Sequence, residues 1–130
     1  MQERAPVKIP GASELVSWFG YWPSFHDAEV LSIHLNRSGE STVAIHTRHR
    51  TNEVDERGYF ITTKHIMVTF IVEGIQTVQL DDFNHQNVIG GLSLEETAAG
   101  YRLILHPCFS AEGMLEAKHI RIIMQPGTPT

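Results

Sequence analysis

The chain has a single cysteine, Cys108, among 130 residues, so no disulfide can form within it. That usage suits a reducing compartment. No run reaches the about 18 apolar residues of a membrane-spanning helix; the best, His65 to Val72, has only the length of a strand. The first ten residues carry Glu3, Arg4 and Lys8 and no apolar stretch, unlike a secretory signal. Positive charge is also scarce: ten Lys and Arg stand against fifteen Asp and Glu, a formal net charge of −5. A protein that grips a nucleic-acid backbone needs a basic field, and this chain lacks one. The expectation is a soluble cytoplasmic protein with neither a membrane nor a nucleic acid as its partner.

Motifs that carry catalysis are missing as well. There is no Gly-x-Ser-x-Gly elbow, no Gly-x-x-x-x-Gly-Lys phosphate loop and no Gly-x-Gly-x-x-Gly fingerprint. Gly90-Gly91 reads as a turn. His106 lies two residues from Cys108, on the same side of an expected strand, which is not the pose of a general base. Cys108 is expected to be a small buried apolar residue. Asp81-Asp82 and Glu95-Glu96 are sequence neighbours whose side chains diverge, so they suit turns or solvated edges better than acid–base pairs. No catalytic residue and no cofactor is assigned.

What is present is an ordinary globular composition, 42% hydrophobic and 19% charged. The length suits one domain over residues 1–130, with 1–10 and 125–130 as loose tails. Ala12 to Phe19 reads as a short helix: Ser13 can cap it, Leu15, Trp18 and Phe19 share a face, and Gly20 ends it. From Ala28 the chain alternates as strands. Leu31, Ile33 and Leu35 are expected on one face, with Val30, Ser32 and His34 on the other. Val43, Ile45 and Thr47 continue the pattern beyond a Ser38-Gly39 turn, and Thr51 to Gly58 reads as a charged connection. His65 to Val72 is apolar on both faces, as in a central strand. Gly74 breaks or bulges the run that continues to Leu80. Leu92–Thr97 and Tyr101–Leu105 form a hairpin, and Leu115–Met124 is the last strand. Connections too short for helical crossovers make the sheet mainly antiparallel. The fold class is α+β: about six or seven strands with one short N-terminal helix packed on them.

One segment concentrates the unusual residues. Residues 18–30 hold both tryptophans, Trp18 and Trp22, with Phe25, and run into His26, Asp27 and Glu29 at the mouth of a strand. Adjacent His and Asp can ligate a divalent metal, yet side chains entering a strand diverge. The segment is therefore read as a helix-to-sheet junction: the aromatics plug the core with His26 packed against them, and the Asp27 carboxylate accepts backbone N–H groups. Eight histidines are many for this length. An in-phase hairpin would place His34 and His46 on one polar face with Ser32 and Arg48, and zinc would need further ligands there.

Glu53, Asp55, Glu56, Asp81, Asp82, Glu95 and Glu96 sit in or near expected connections. Loops carry recognition, and a negative field on them would steer a basic partner. These seven are the candidate partner-binding residues.

Gly-Tyr-Trp-Pro-Ser-Phe-His-Asp-Ala-Glu-Val (20–30), Leu-Asp-Asp-Phe-Asn-His-Gln-Asn-Val-Ile (80–89) and the closing strand through Ala117 to Ile123 resemble the bacterial immunity protein 50 family. The resemblance implies a binding protein that protects its own cell by occluding or locking a cognate toxin domain. It assigns no catalytic role to His26, Asp27 or Glu29. Two other functions stay open on the residues alone: a metal-dependent enzyme using His34 and His46, and a structural or oligomerising module built on two-faced apolar strands.

Overall fold

The structure is a computed structural model that describes residues 5–108 and 111–129; residues 1–4 and 130 of the expected tails lie outside the described residues. Helix α1 (Ala12–Phe19) is followed by β1 (Glu29–His34), β2 (Ser41–Val54), β3 (Phe60–Asp81), β4 (Ile89–Thr97), β5 (Gly100–Pro107) and β6 (Glu112–Pro126). The strands make a six-stranded sheet in the order β1-β2-β3-β6-β5-β4, with every pairing antiparallel. This is the α+β class expected from the alternation and the short connections.

Helix α1 starts from Gly11, not from a side-chain cap; Ser13 lies within the first turn and its hydroxyl reaches Glu14. Gly11 has φ 92°, and a Cβ there would collide with the carbonyl of Ile122, so the residue must be glycine. The neighbouring Pro10 carbonyl accepts the Ile122 amide at 2.8 Å. That contact covers the edge of β6 beyond the point where β5 stops pairing with it. At the other end Gly20, with φ 104°, donates its N–H to Val16, and Lys64 Nζ donates to the Phe19 carbonyl at 2.8 Å. Ile9 is buried and Gln125 and Pro126 belong to β6, so parts of both expected tails are built into the fold.

β3 passes through Gly74 (φ 69°) without ending; the register shifts against β6 between Ile75 and Thr77. The first part of β3 pairs with β2, and its later part lies opposite the portion of β6 that also holds β5. Gly90 and Gly91, expected in a turn, lie inside β4. The sheet curls far enough for its two edges to meet. Asp27 N–H donates to Ile89 O (3.0 Å), Ile89 N–H to Ala28 O (2.9 Å) and Val30 N–H to Asn87 O (2.8 Å). Closing a sheet on itself removes exposed edges at that end.

The interior is one apolar cluster: Leu15, Phe19, Trp22 and Phe25 from the helix and junction, Val43, Ile45, Ile66, Val68 and Phe70 from β2 and β3, and Leu103, Leu105 and Leu115 from β5 and β6. The expected facing of β1 needs correction. A register shift between Val30 and Ser32 puts Val30 opposite Ile45 and Ile33 opposite Val43, while Leu31 and Leu35 are exposed. A bulge adds one residue and so changes which side chains share a face. Cys108, expected to be buried, is exposed.

Candidate partner-binding surface

β2 and β3 outrun their neighbours. β1 covers β2 only from Thr42 to His46, and β6 pairs with β3 only from Ile66 onward. Between those limits the β2–β3 hairpin stands alone as a projecting arm. A two-stranded hairpin is marginal by itself, and the arm is tied at several points. Thr51 Oγ1 donates to the Ile61 carbonyl at 2.8 Å across it. At the tip, Asp55 Oδ1 accepts the backbone N–H of Arg57 (2.9 Å) and of Tyr59 (3.0 Å). At the root, the Tyr21 hydroxyl bonds His49 Nδ1, and Lys64, the bulged residue with φ 52°, reaches helix α1.

The arm exposes apolar side chains close together. Val54 is 54% exposed, Tyr59 67%, Phe60 50% and Ile61 37%. The guanidinium of Arg50 lies 4.8 Å from the Phe60 ring centre, holding that ring in place by a cation–π contact. Glu53, Asp55 and Glu56 surround the same tip in solvent.

The other expected contact acids are exposed too, but elsewhere. Asp81 and Asp82 close β3, with Asp81 opposite Glu112. Glu95 and Glu96 stand at the far end of β4, where Glu95 pairs in register with Arg102, itself 3.4 Å from Glu116. The seven carboxylates thus fall into three separate places, and the arm gathers three of them beside apolar groups.

Beneath the arm root lies a polar cleft of about 220 Å³ lined by Tyr21, Ser24, His26, Asp27, Arg48, His49 and Arg50. The junction segment forms its floor. Trp22 and Phe25 are buried and Trp18 is half-buried, as a core plug requires, and Phe25 meets Phe70 at 6.1 Å between ring centres. His26 departs from expectation: it is exposed, and its Nδ1 donates to the Gly90 carbonyl at 3.1 Å. Asp27 fixes the junction through its main chain, not its carboxylate. Its N–H bonds Ile89, and its carbonyl accepts Arg48 Nη1 at 3.0 Å. His26 and Asp27 do not diverge, because they occupy a turn before the strand begins; Asp27 has φ 61°, and its Oδ2 lies 3.6 Å from His26 Nε2. Glu29 follows in β1, opposite His46.

The histidines assort by register. His34 is opposite Thr42 and His46 opposite Glu29, so the two share the outer face but stand four β2 positions apart. His46 instead stacks on His65, with ring centres 5.2 Å apart and Nε2 to Nδ1 3.0 Å, and His65 Nε2 meets Thr62 Oγ1 at 3.1 Å. Burial, then the charges of His65 and Arg48, hold His46 below its ordinary pKa, against an opposing pull from Glu29. Among the described residues no three His, Cys, Asp or Glu side chains gather at metal-binding distance. A larger groove of about 670 Å³ beside α1 is lined by Ala5, Val7, Ile9, Pro10, Ala12 and Val16, with Lys8 and two serines. It is mostly apolar and brings together no set of charges, so the arm and its cleft are the better candidate.

Sequence reasoning missed Tyr59, Phe60 and Ile61. The available signal was an apolar residue on each side of Asp55-Glu56-Arg57-Gly58, which is a hairpin pattern.

Fold and surface together define a small antiparallel α+β protein with a projecting hairpin arm. A family model described as immunity protein 50 matches residues 11–125, and the chain belongs to that family. No curated protein and no solved structure matches it. No helix among the described residues is long and apolar enough to cross a membrane.

Proposed function

We propose that this immunity-family protein neutralises a cognate bacterial toxin domain in the cytoplasm by forming a tight complex with it, without turnover. The observation that carries the reading is the β2–β3 arm, where exposed Val54, Tyr59 and Phe60 adjoin Glu53, Asp55 and Glu56. Exposed aromatics within an acidic rim form the usual core-and-rim pattern of a protein interface. The carboxylates would steer a basic toxin surface and speed encounter in a salt-sensitive way. Asp81, Asp82, Glu95 and Glu96, being remote from the arm, would add long-range field and little contact.

Co-expression with the toxin domain encoded next to this gene tests it. Growth should be rescued, and the two proteins should co-elute on gel filtration. Neither rescue nor complex would overturn the proposal. Bound stoichiometric metal, with activity lost in His46→Ala, would instead favour an enzyme.

A further inference from the structure

The chemistry of the arm changes in order along its length. The outer end carries Glu53, Asp55, Glu56 and Arg57 interleaved with Val54, Tyr59 and Phe60, and the root carries Arg48 and Arg50. From Arg48 to Asp55 the chain covers about 20 Å at strand rise. Among the described residues neither root guanidinium has a carboxylate partner, whereas Arg102 is held by Glu116 and Arg121 by Glu40. Both are nevertheless oriented: Arg48 by the Asp27 carbonyl and Arg50 by the Phe60 ring. The one carboxylate on the cleft wall, Asp27, is turned toward His26. The cleft is therefore lined by two arginines without a carboxylate partner among the described residues, in a chain whose net charge is −5. Its volume, about 220 Å³, is below the about 300 Å³ at which small-molecule pockets begin. It suits the head group of one side chain.

We propose that the cleft at the arm root is a carboxylate subsite, which receives an Asp or Glu side chain of the toxin between Arg48 and Arg50. This rests on the toxin-binding reading and specifies the partner surface: basic and apolar groups facing the outer end, acidic groups facing the root. A planar carboxylate matches the guanidinium fork. The ordered charges also fix register, because a partner docked the other way meets like charge at both ends.

Titration of ¹⁵N-labelled protein with N-acetylglutamate amide, N-acetylglutamine amide and inorganic phosphate tests the subsite without any toxin, by following the Arg48 and Arg50 Nε–H signals. The glutamate derivative should shift both signals saturably and the glutamine derivative neither. The Arg48 shift should vanish in Arg50→Gln, an exposed position whose dispersed spectrum reports an intact fold. Arg48→Lys, which keeps the charge, should retain a shift at Arg50. No response to glutamate, or an equal response to glutamine, overturns the subsite; a response to phosphate alone overturns its assignment to a carboxylate. With the toxin in hand, Arg50→Glu should weaken the complex by about tenfold or more. Unchanged affinity overturns the subsite and leaves toxin binding standing, whereas a wild-type protein that forms no complex overturns the toxin reading itself.

Discussion

The junction at residues 18–30 and the arm at 48–61 are built from similar residue types and meet opposite fates. Each has aromatics beside charged or polar groups. In the junction Trp22 and Phe25 are buried, and the main chain around Asp27 is bonded to β4. In the arm Tyr59 and Phe60 face solvent, and among the described residues no third strand pairs alongside them. Burial here is decided by where neighbouring strands stop, not by how apolar a segment is. The junction ties the helix to the sheet; the arm leaves its aromatics in solvent.

The contrast can be broken most forcefully in the core. Phe70→Ala, at a fully buried site against Phe25, should cost about 3–5 kcal/mol of stability in urea unfolding. Phe60→Ala on the arm should change stability by about 0.5 kcal/mol or less, yet weaken toxin binding by about 2 kcal/mol in calorimetry. Equal stability losses at the two sites would erase the distinction.

Gly11→Ala probes the entry to the junction. With φ 92° and the Ile122 carbonyl in the way, it should cost more than about 1 kcal/mol in the same unfolding assay. Lys64→Met tests whether arm and junction are coupled, since it removes the bond to the Phe19 carbonyl. A loss of about 0.5–1 kcal/mol is expected, with faster amide exchange in the arm. A variant with native exchange there would show that the arm stands without its tie to the helix.

The smallest effect belongs to the His46–His65 stack at the arm root. His46 titrates below its ordinary 6.5 in the folded protein, because burial, His65 and Arg48 together outweigh Glu29. The unfolded chain therefore takes up the proton more readily. Between the depressed folded value and 6.5, stability should rise with pH, and above that window the contribution should be constant. Urea midpoints across that range should show the slope, and His46→Gln should flatten it.

Much of this was legible beforehand because it depends on local chemistry. Ala12–Phe19 is a helix because its apolar residues recur at helical spacing and Gly20 can take the left-handed turn that ends it. The runs through Val43–Thr47, Leu92–Thr97, Tyr101–Leu105 and Leu115–Met124 are strands because apolar and polar residues alternate along them. The family resemblance is also carried by residues in sequence, and it extends over residues 11–125.

Of the candidate surface, the sequence marked Glu53, Asp55 and Glu56 as charged and exposed. It did not separate them from Asp81, Asp82, Glu95 and Glu96, because proximity between loops is set by strand order. Nor could it show that His26 and Asp27 turn toward each other, since the left-handed conformation of a non-glycine residue is imposed by what packs around it. The shift after Val30 that exposes Leu31 likewise exists only in the pairing with β2.

By itself, then, the sequence determined the elements, their antiparallel class and the family, because these follow from periodicity and local turn chemistry. Tertiary structure alone decided that the sheet closes at Asp27–Val30 with Asn87–Ile89 and that β2 and β3 run on as a two-stranded hairpin beyond the Thr47–Ile66 pair. Strand lengths relative to their neighbours are a property of the whole sheet. They turned one aromatic segment into a core and the other into an arm.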